Sequence, residues 1–206
     1  MPQVTPEPDG AAAPLTLSIA ELARTGALQL IGPVRSVARP SAQPEQPVEL
    51  PVLSARNVVE GTDPSPHGES VPGQAVKLLP GDVVVPITAR QLTVRVIEKE
   101  DALLGPNMYL LRPNPDALDP WFLAGHLRTS GNERQASSLS GTLRFDIRRA
   151  QIRRLPLKEQ RAYGDAFRRL AAFEVAVREA ASLGSELVRV TADGLAQGVV
   201  RPPDGP

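Results

Sequence analysis

Arg144-Phe145-Asp146-Ile147-Arg148-Arg149-Ala150-Gln151-Ile152-Arg153-Arg154-Leu155-Pro156-Leu157-Lys158-Glu159-Gln160 is the stretch that decides how this chain divides. An arginine-dense segment ends at a proline, and a long run of helix-forming residues follows. Proline forbids helix upstream of itself and suits the first turn of one downstream, where its missing N–H is no loss. Glu159 then sets negative charge near the positive end of the new helix dipole. The expected organisation is a compact basic domain over 15–155 and a long helix over 156–198, with disordered tails over 1–14 and 199–206. The fold class is α+β.

The totals bound the possibilities. A chain of 206 residues buries a substantial core. Lys+Arg and Asp+Glu balance at 23 each, so net charge points to no partner, whereas its distribution does. From Arg144 to Arg169 nine basic residues face three acidic ones, Asp146, Glu159 and Asp165. Such a run is either a solvated face or a surface for a polyanion. Cysteine is absent, which excludes disulfides and thiolate zinc sites. No apolar run is long enough for a membrane span, and the N-terminus has no signal-peptide pattern. A cytoplasmic protein with no membrane contact is expected.

Local patterns supply the elements. Ser18-Ile19-Ala20-Glu21 has the form of a capping box that starts a short helix, ended by Gly26. Ala27 to Ile31 predicts a strand. Pro40 to Leu50 and Gly61 to Gly73, which carries Thr62, His67 and Ser70, are rich in turn formers and predict loops. Pro51 to Val59 predicts a strand running into a turn. Leu78 to Val85 is a tight turn feeding a buried strand, Leu92 to Ile97 a half-buried strand, and Asn107 to Pro113 a strand closed by proline. Asp119-Pro120 is an N-cap followed by proline at the first helical position. Thr129 to Gly141 reads as a Ser/Gly-rich loop. No internal repeat is visible.

The final helix has a heptad pattern. With Tyr163 at position a, the a and d sites are Tyr163, Ala166, Leu170, Phe173, Val177, Ala180, Gly184, Leu187, Thr191 and Gly194; Phe167, Ala181 and Leu183 widen the stripe. Such a helix buries one face against another helix or against its own domain. About 35 residues would span roughly 50 Å, more than a small domain needs, so pairing with a second helix is favoured. Tyr163, Phe167, Leu170, Phe173, Val177 and Leu187 are the expected pairing residues.

Four segments resemble half of a type I restriction specificity subunit. Pro51-Val52-Leu53-Ser54-Ala55-Arg56-Asn57-Val58 is similar to the strand before that family's DNA-facing loop. Leu79-Pro80-Gly81-Asp82-Val83-Val84-Val85 is similar to its Gly-Asp turn and apolar strand. Asp119-Pro120-Trp121-Phe122-Leu123 looks like its helix after the penultimate strand, and Ile152 through Gln160 like its junction into the spacer helix. The resemblance implies a target recognition domain followed by a spacer helix. In the family, two such halves pack their helices antiparallel and serve a DNA methyltransferase (M) subunit. This chain departs by carrying one recognition domain in place of two. Similar single modules occur at the C-terminal end of adenine-N6 DNA methylases.

The implied partners are double-stranded DNA, an M subunit, and either a second copy of the chain or another half-module. Arg bridges guanine O6 and N7, Asn or Gln bridges adenine N6 and N7, and Arg, Lys and Ser hold phosphates. The candidate DNA-binding residues are Arg56, Asn57, Arg134, Ser138, Arg144, Arg148 and Arg149. Two alternatives stand beside this reading: the arginines pair with Glu133 or with the helix, and Asn57 makes a turn. No enzyme, cofactor or metal site is expected. Asp119-Pro120-Trp121-Phe122 lacks the second proline of an adenine methylase clamp and reads better as a helix cap. His67 and His126 lie in unrelated settings, and His126 reads as a packed core residue. A second function class, a helical assembly adaptor that binds protein and not DNA, shares the helix without the basic surface.

Overall fold

The computed structural model describes residues 15–34, 50–66, 76–89, 92–99, 102–134, 137–139 and 142–201; at 34, 88–89, 137–139 and 142–144 it describes the backbone alone. The expected tail over 1–14, the loop from Pro40 to Leu50 apart from its last residue, and His67 and Ser70 lie outside the described residues. The elements in chain order begin with β1 (Thr16–Ser18), α1 (Ile19–Arg24), β2 (Leu28–Val34), β3 (Val52–Leu53) and α2 (Ala55–Glu60). There follow β4 (Val83–Pro86), β5 (Thr88–Ala89), β6 (Arg95–Val96), β7 (Leu103–Leu104) and β8 (Met108–Pro113). The rest are α3 (Pro120–Leu127), α4 (Ser130–Glu133), β9 (Ser137–Leu139), β10 (Thr142–Arg144), a 3-10 turn (Ile147–Arg149), β11 (Gln151–Arg153) and α5 (Leu157–Ala196). The fold class is α+β with a long C-terminal helix.

An antiparallel sheet in the order β2-β8-β4-β6 organises the first part of the chain. The apolar run Val83-Val84-Val85-Pro86 is buried throughout, because the sheet is covered on both faces. Val83 and Val85 join Tyr109 and Leu111 in a core with Ile19 and Leu22 of α1 and Phe122, Leu123 and Leu127 of α3. Val84 and Leu110 point the other way, into a second core with Leu53, Val58 of α2, Leu78, Ile97 and Leu104. Fully burying one such side chain contributes about 1.5–3 kcal/mol. Gly81, at φ +90°, makes the turn before β4. The buried Asp82 carboxylate accepts from Leu79 N and takes both Nε and Nη2 of Arg112 at 2.8 Å. That hydrogen bonding raises the guanidinium pKa above its ordinary value.

Three expectations need correction. The strand over Pro51–Val59 is only β3; Ser54 then caps α2, with its Oγ accepting from Asn57 N and Asn57 Oδ1 accepting from Ser54 N. The cap outweighs the β propensity of Val58-Val59, and Val58 fills the second core. Arg56 and Asn57 therefore lie on a helix, not at a strand end. The loop over Thr129–Gly141 contains α4 and, with β10, the β9-β10 hairpin, to which β5 adds on the other side. In Leu92–Ile97 only Arg95 and Val96 form a strand, paired with β4.

The junction at Pro156 matches its reading: α5 starts at the next residue, and Pro156 O accepts from Glu159 N and Gln160 N. The chain divides into two compact units, 1–167 and 168–206. In the first, Gln160 is buried; its Oε1 accepts from Asp119 N while Nε2 donates to Ala117 O and Leu155 O. Gly164 lies so close to α3 that a Cβ there would collide with Asp119 Oδ1, and a Cβ on Gly125 would strike the Phe167 ring. Tyr163 packs beside Phe122, with the Arg153 guanidinium 5.7 Å from its ring centre, a cation–π distance. Tyr163 and Phe167 therefore contact their own unit, while Tyr163 keeps 44% of its surface exposed. In the second unit Leu170, Phe173, Val177 and Leu187 are exposed. Arg178–Glu174 and Arg189–Asp193 pair at i,i+4 spacing. Val175, Leu183 and Val190, also exposed, lie off the heptad seam.

Candidate nucleic-acid interface

Between Phe145 and Ile152 the backbone alternates with little slack. Phe145, Ile147, Ala150 and Ile152 are buried in the first core, while Asp146, Arg148, Arg149 and Gln151 are exposed. The Asp146 carboxylate caps the 3-10 turn by accepting from Arg148 N. Phe145 N donates to Ile87 O, and Ile19 N donates to Ala150 O, so the segment is tied to the edge of the core and to the start of α1. β11 pairs antiparallel with β1, Ser18 opposite Gln151. Asn132, buried at the end of α4, fixes the same place from the other side. Its Oδ1 accepts from Gln151 N at 2.8 Å, and its Nδ2 donates to Gln151 O and His126 O. All its donors and its acceptor oxygen are used, so β11 has little freedom to shift.

On this floor Ser18, Ala20, Arg148, Arg149 and Gln151 line a surface groove. Neither guanidinium has an ion pair among the described residues, so the alternative of pairing with Glu133 does not hold for these two. Glu133 Oε1 instead accepts from Leu92 N. Ser18 and the Gln151 amide nitrogen make local bonds. Ser18 Oγ donates to Glu21 Oε2 and accepts from Glu21 N, and Ser18 N donates to the same carboxylate. These bonds, the backbone one first, hold the Glu21 carboxyl below its ordinary pKa. Gln151 Nε2 donates to Arg149 O. The groove thus offers two cations and an apolar wall.

The remaining candidates are dispersed. Arg134 is exposed at the C-terminal end of α4. Ser138 on β9 and Arg144 on β10 belong to one hairpin, where Ser138 lies opposite Leu143 and Arg144 opposite Ser137; their side chains lie outside the described residues. Arg56 is exposed on α2 and pairs with Glu60 at 2.8 Å. Asn57 spends its side chain internally, since Nδ2 donates to Thr62 Oγ1 and Asp63 O. α2 packs on the second core, whereas the 3-10 turn packs on the first, so the two sets lie against opposite faces of the central sheet. Sequence reasoning missed Ala20, Gln151 and Asn132. Gln151 carried a weak signal as the polar residue between buried Ala150 and Ile152; Asn132 sat in a Ser/Gly-rich run that looked like loop.

His126 is the packed residue its helix suggested. It is buried, its ring lies 4.2 Å from that of Phe122 and 5.6 Å from that of Phe167, and Nδ1 bonds Phe122 O at 3.0 Å. A carbonyl only accepts, so Nδ1 carries the proton. Burial holds the imidazole pKa below its ordinary value.

No family model matches the sequence, and no curated protein matches it. Solved structures do. One, from a study of the structural basis underlying complex assembly and conformational transition of the type I R-M system, matches with a TM-score of 0.56 at 20% identity. It covers 88% of this chain and 45% of that one. A crystal structure of the HsdS subunit from Thermoanaerobacter tengcongensis matches with a TM-score of 0.49 at 21% identity, over 82% of this chain and 41% of that one. The first likeness shows the fold: this chain has the architecture of a segment of a type I R-M chain and spans less than half that chain's length. Among the described residues no helix is long and apolar enough to cross a membrane.

Proposed function

We propose that this chain is a sequence-specific double-stranded DNA-binding module of a DNA methylation or restriction system, which brings a partner adenine methyltransferase to its target and performs no catalysis itself. The observation that carries the reading is the fold match to a type I R-M structure over 88% of the chain. The chemistry of the surface agrees with it. Arg148 and Arg149 are exposed, unpaired among the described residues and fixed on a rigid floor, as residues that contact phosphates or guanine need to be. Arg134, Ser138 and Arg144 belong to the segment just before them and are the nearest further candidates in sequence. Arg56 and Asn57 would first have to give up Glu60, Thr62 and Asp63. The exposed apolar residues of the second unit suit a partner helix, from another copy or from a second half-module. The methyltransferase subunit remains a partner proposed from the fold likeness.

A gel shift tests the reading. The purified chain, alone or with its methylase partner, is expected to retard duplex DNA at about 50 mM salt and to lose most of that affinity by about 200 mM, because each phosphate contact releases counterions. A chain that oligomerises but shifts no duplex under either condition would be the protein-binding adaptor, a reading favoured by the exposed apolar residues of 168–196 alone.

A further inference from the structure

The groove lined by Ser18, Ala20, Arg148, Arg149 and Gln151 has a shape that selects between the two things an arginine pair does on DNA. We infer that it seats the sugar–phosphate backbone of the duplex and reads no base. The inference rests on the proposal that the chain binds duplex DNA and assigns this one surface its role within it.

Shape comes first. Base edges lie at the bottom of a groove about 12 Å wide and 8.5 Å deep, and they are read by elements that protrude into it. Arg148 and Arg149 line a recess between α1 and β11. A recess receives a ridge, and the ridge of a duplex is its phosphodiester backbone.

Chemistry agrees. Apart from the two guanidiniums, the polar side chains of the groove make local bonds: Ser18 with Glu21, and one Gln151 Nε2 hydrogen with Arg149 O. Ala20 adds no polar atom. The nearest carboxylate along α1, that of Glu21, is bonded three ways to Ser18. What the groove chiefly offers is positive charge, the complement of a phosphate.

Rigidity completes the argument. Asn132 ties Gln151 through its N–H and its carbonyl, and Ala150 O holds Ile19 N, so both walls keep their separation before any ligand arrives. Asn132 is in this sense a positioning residue for the arginine pair.

Fluorescence anisotropy with a random-sequence duplex pool, followed by sequencing of the bound fraction, tests this. Ala20 is exposed on α1, so Ala20→Glu and Ala20→Lys change charge in the groove while leaving the arginines and the hydrogen bonds above in place. Ala20→Glu should weaken binding roughly tenfold at low salt and Ala20→Lys should strengthen it. Arg148→Ala with Arg149→Ala should lower the salt slope by about two. All variants should unfold at the wild-type temperature and recover the same sequences as wild type. An unchanged salt slope, or a bound pool with a shifted sequence preference, overturns the inference. Failure of the parent proposal would look different, because wild type itself would then bind no duplex.

Discussion

Residues 157–167 and 168–196 are one continuous helix with one repeating pattern, yet they live in two environments. In the first stretch Gln160 and Gly164 are buried and Phe167 is half-buried. In the second, Leu170, Phe173 and Leu187, at a and d positions, keep 63%, 68% and 67% of their surface exposed. Heptad arithmetic sets the two faces apart, since Gln160 and Phe167 fall at e and Gly164 at b, beside the a and d stripe. The contact face of the first stretch also differs in kind of residue: a glycine where two backbones must approach, and an amide where orphan groups of a neighbouring helix cap need partners. The first three turns are the last element of the folded domain. The remaining turns carry large exposed apolar side chains and no buried polar anchor, a composition that suits the proposed pairing with a second helix.

Glycine substitutions give the widest contrast. Gly164→Val should destabilise the chain by about 3 kcal/mol, since overfilling a tight contact costs about 1–3 kcal/mol and the Asp119 cap is displaced as well. Gly184→Ala, with nothing within 4 Å of its new Cβ, should instead stabilise by about 0.5–1 kcal/mol through helix propensity. Urea unfolding of the two variants checks both; equal losses would erase the proposed boundary near Phe167. Gln160→Ala comes next, with a loss of about 2 kcal/mol, because it leaves Asp119 N, Ala117 O and Leu155 O unpaired near the core. Denaturation that matches wild type would show that water replaces that side chain freely.

Much of this was legible in the sequence wherever the cause was local. The Ser18–Glu21 capping box, the Asp119-Pro120 helix start and the Leu155-Pro156 junction each depend on residues within one turn. The buried β4 strand was legible as an unbroken apolar run. The failures share a cause as well. At Ser54–Val59 two local signals conflict, capping against β-branched propensity, and tertiary burial of Val58 sides with the helix. Asn132 looked like loop because its partners are Gln151 and the end of α3. The groove was legible only in part: its arginines were conspicuous, but their neighbours Ser18 and Ala20 reach them through pairing of β1 with β11, across more than half the chain.

Light scattering across a concentration series measures most directly whether the stretch from Arg168 onward is made for a second helix. Wild type should rise from 22.0 kDa toward twice that mass, while Leu170→Glu with Phe173→Glu should stay monomeric with its unfolding midpoint unchanged. A wild-type chain that remains at the monomer mass at every concentration, or a double variant that associates as wild type does, would contradict it.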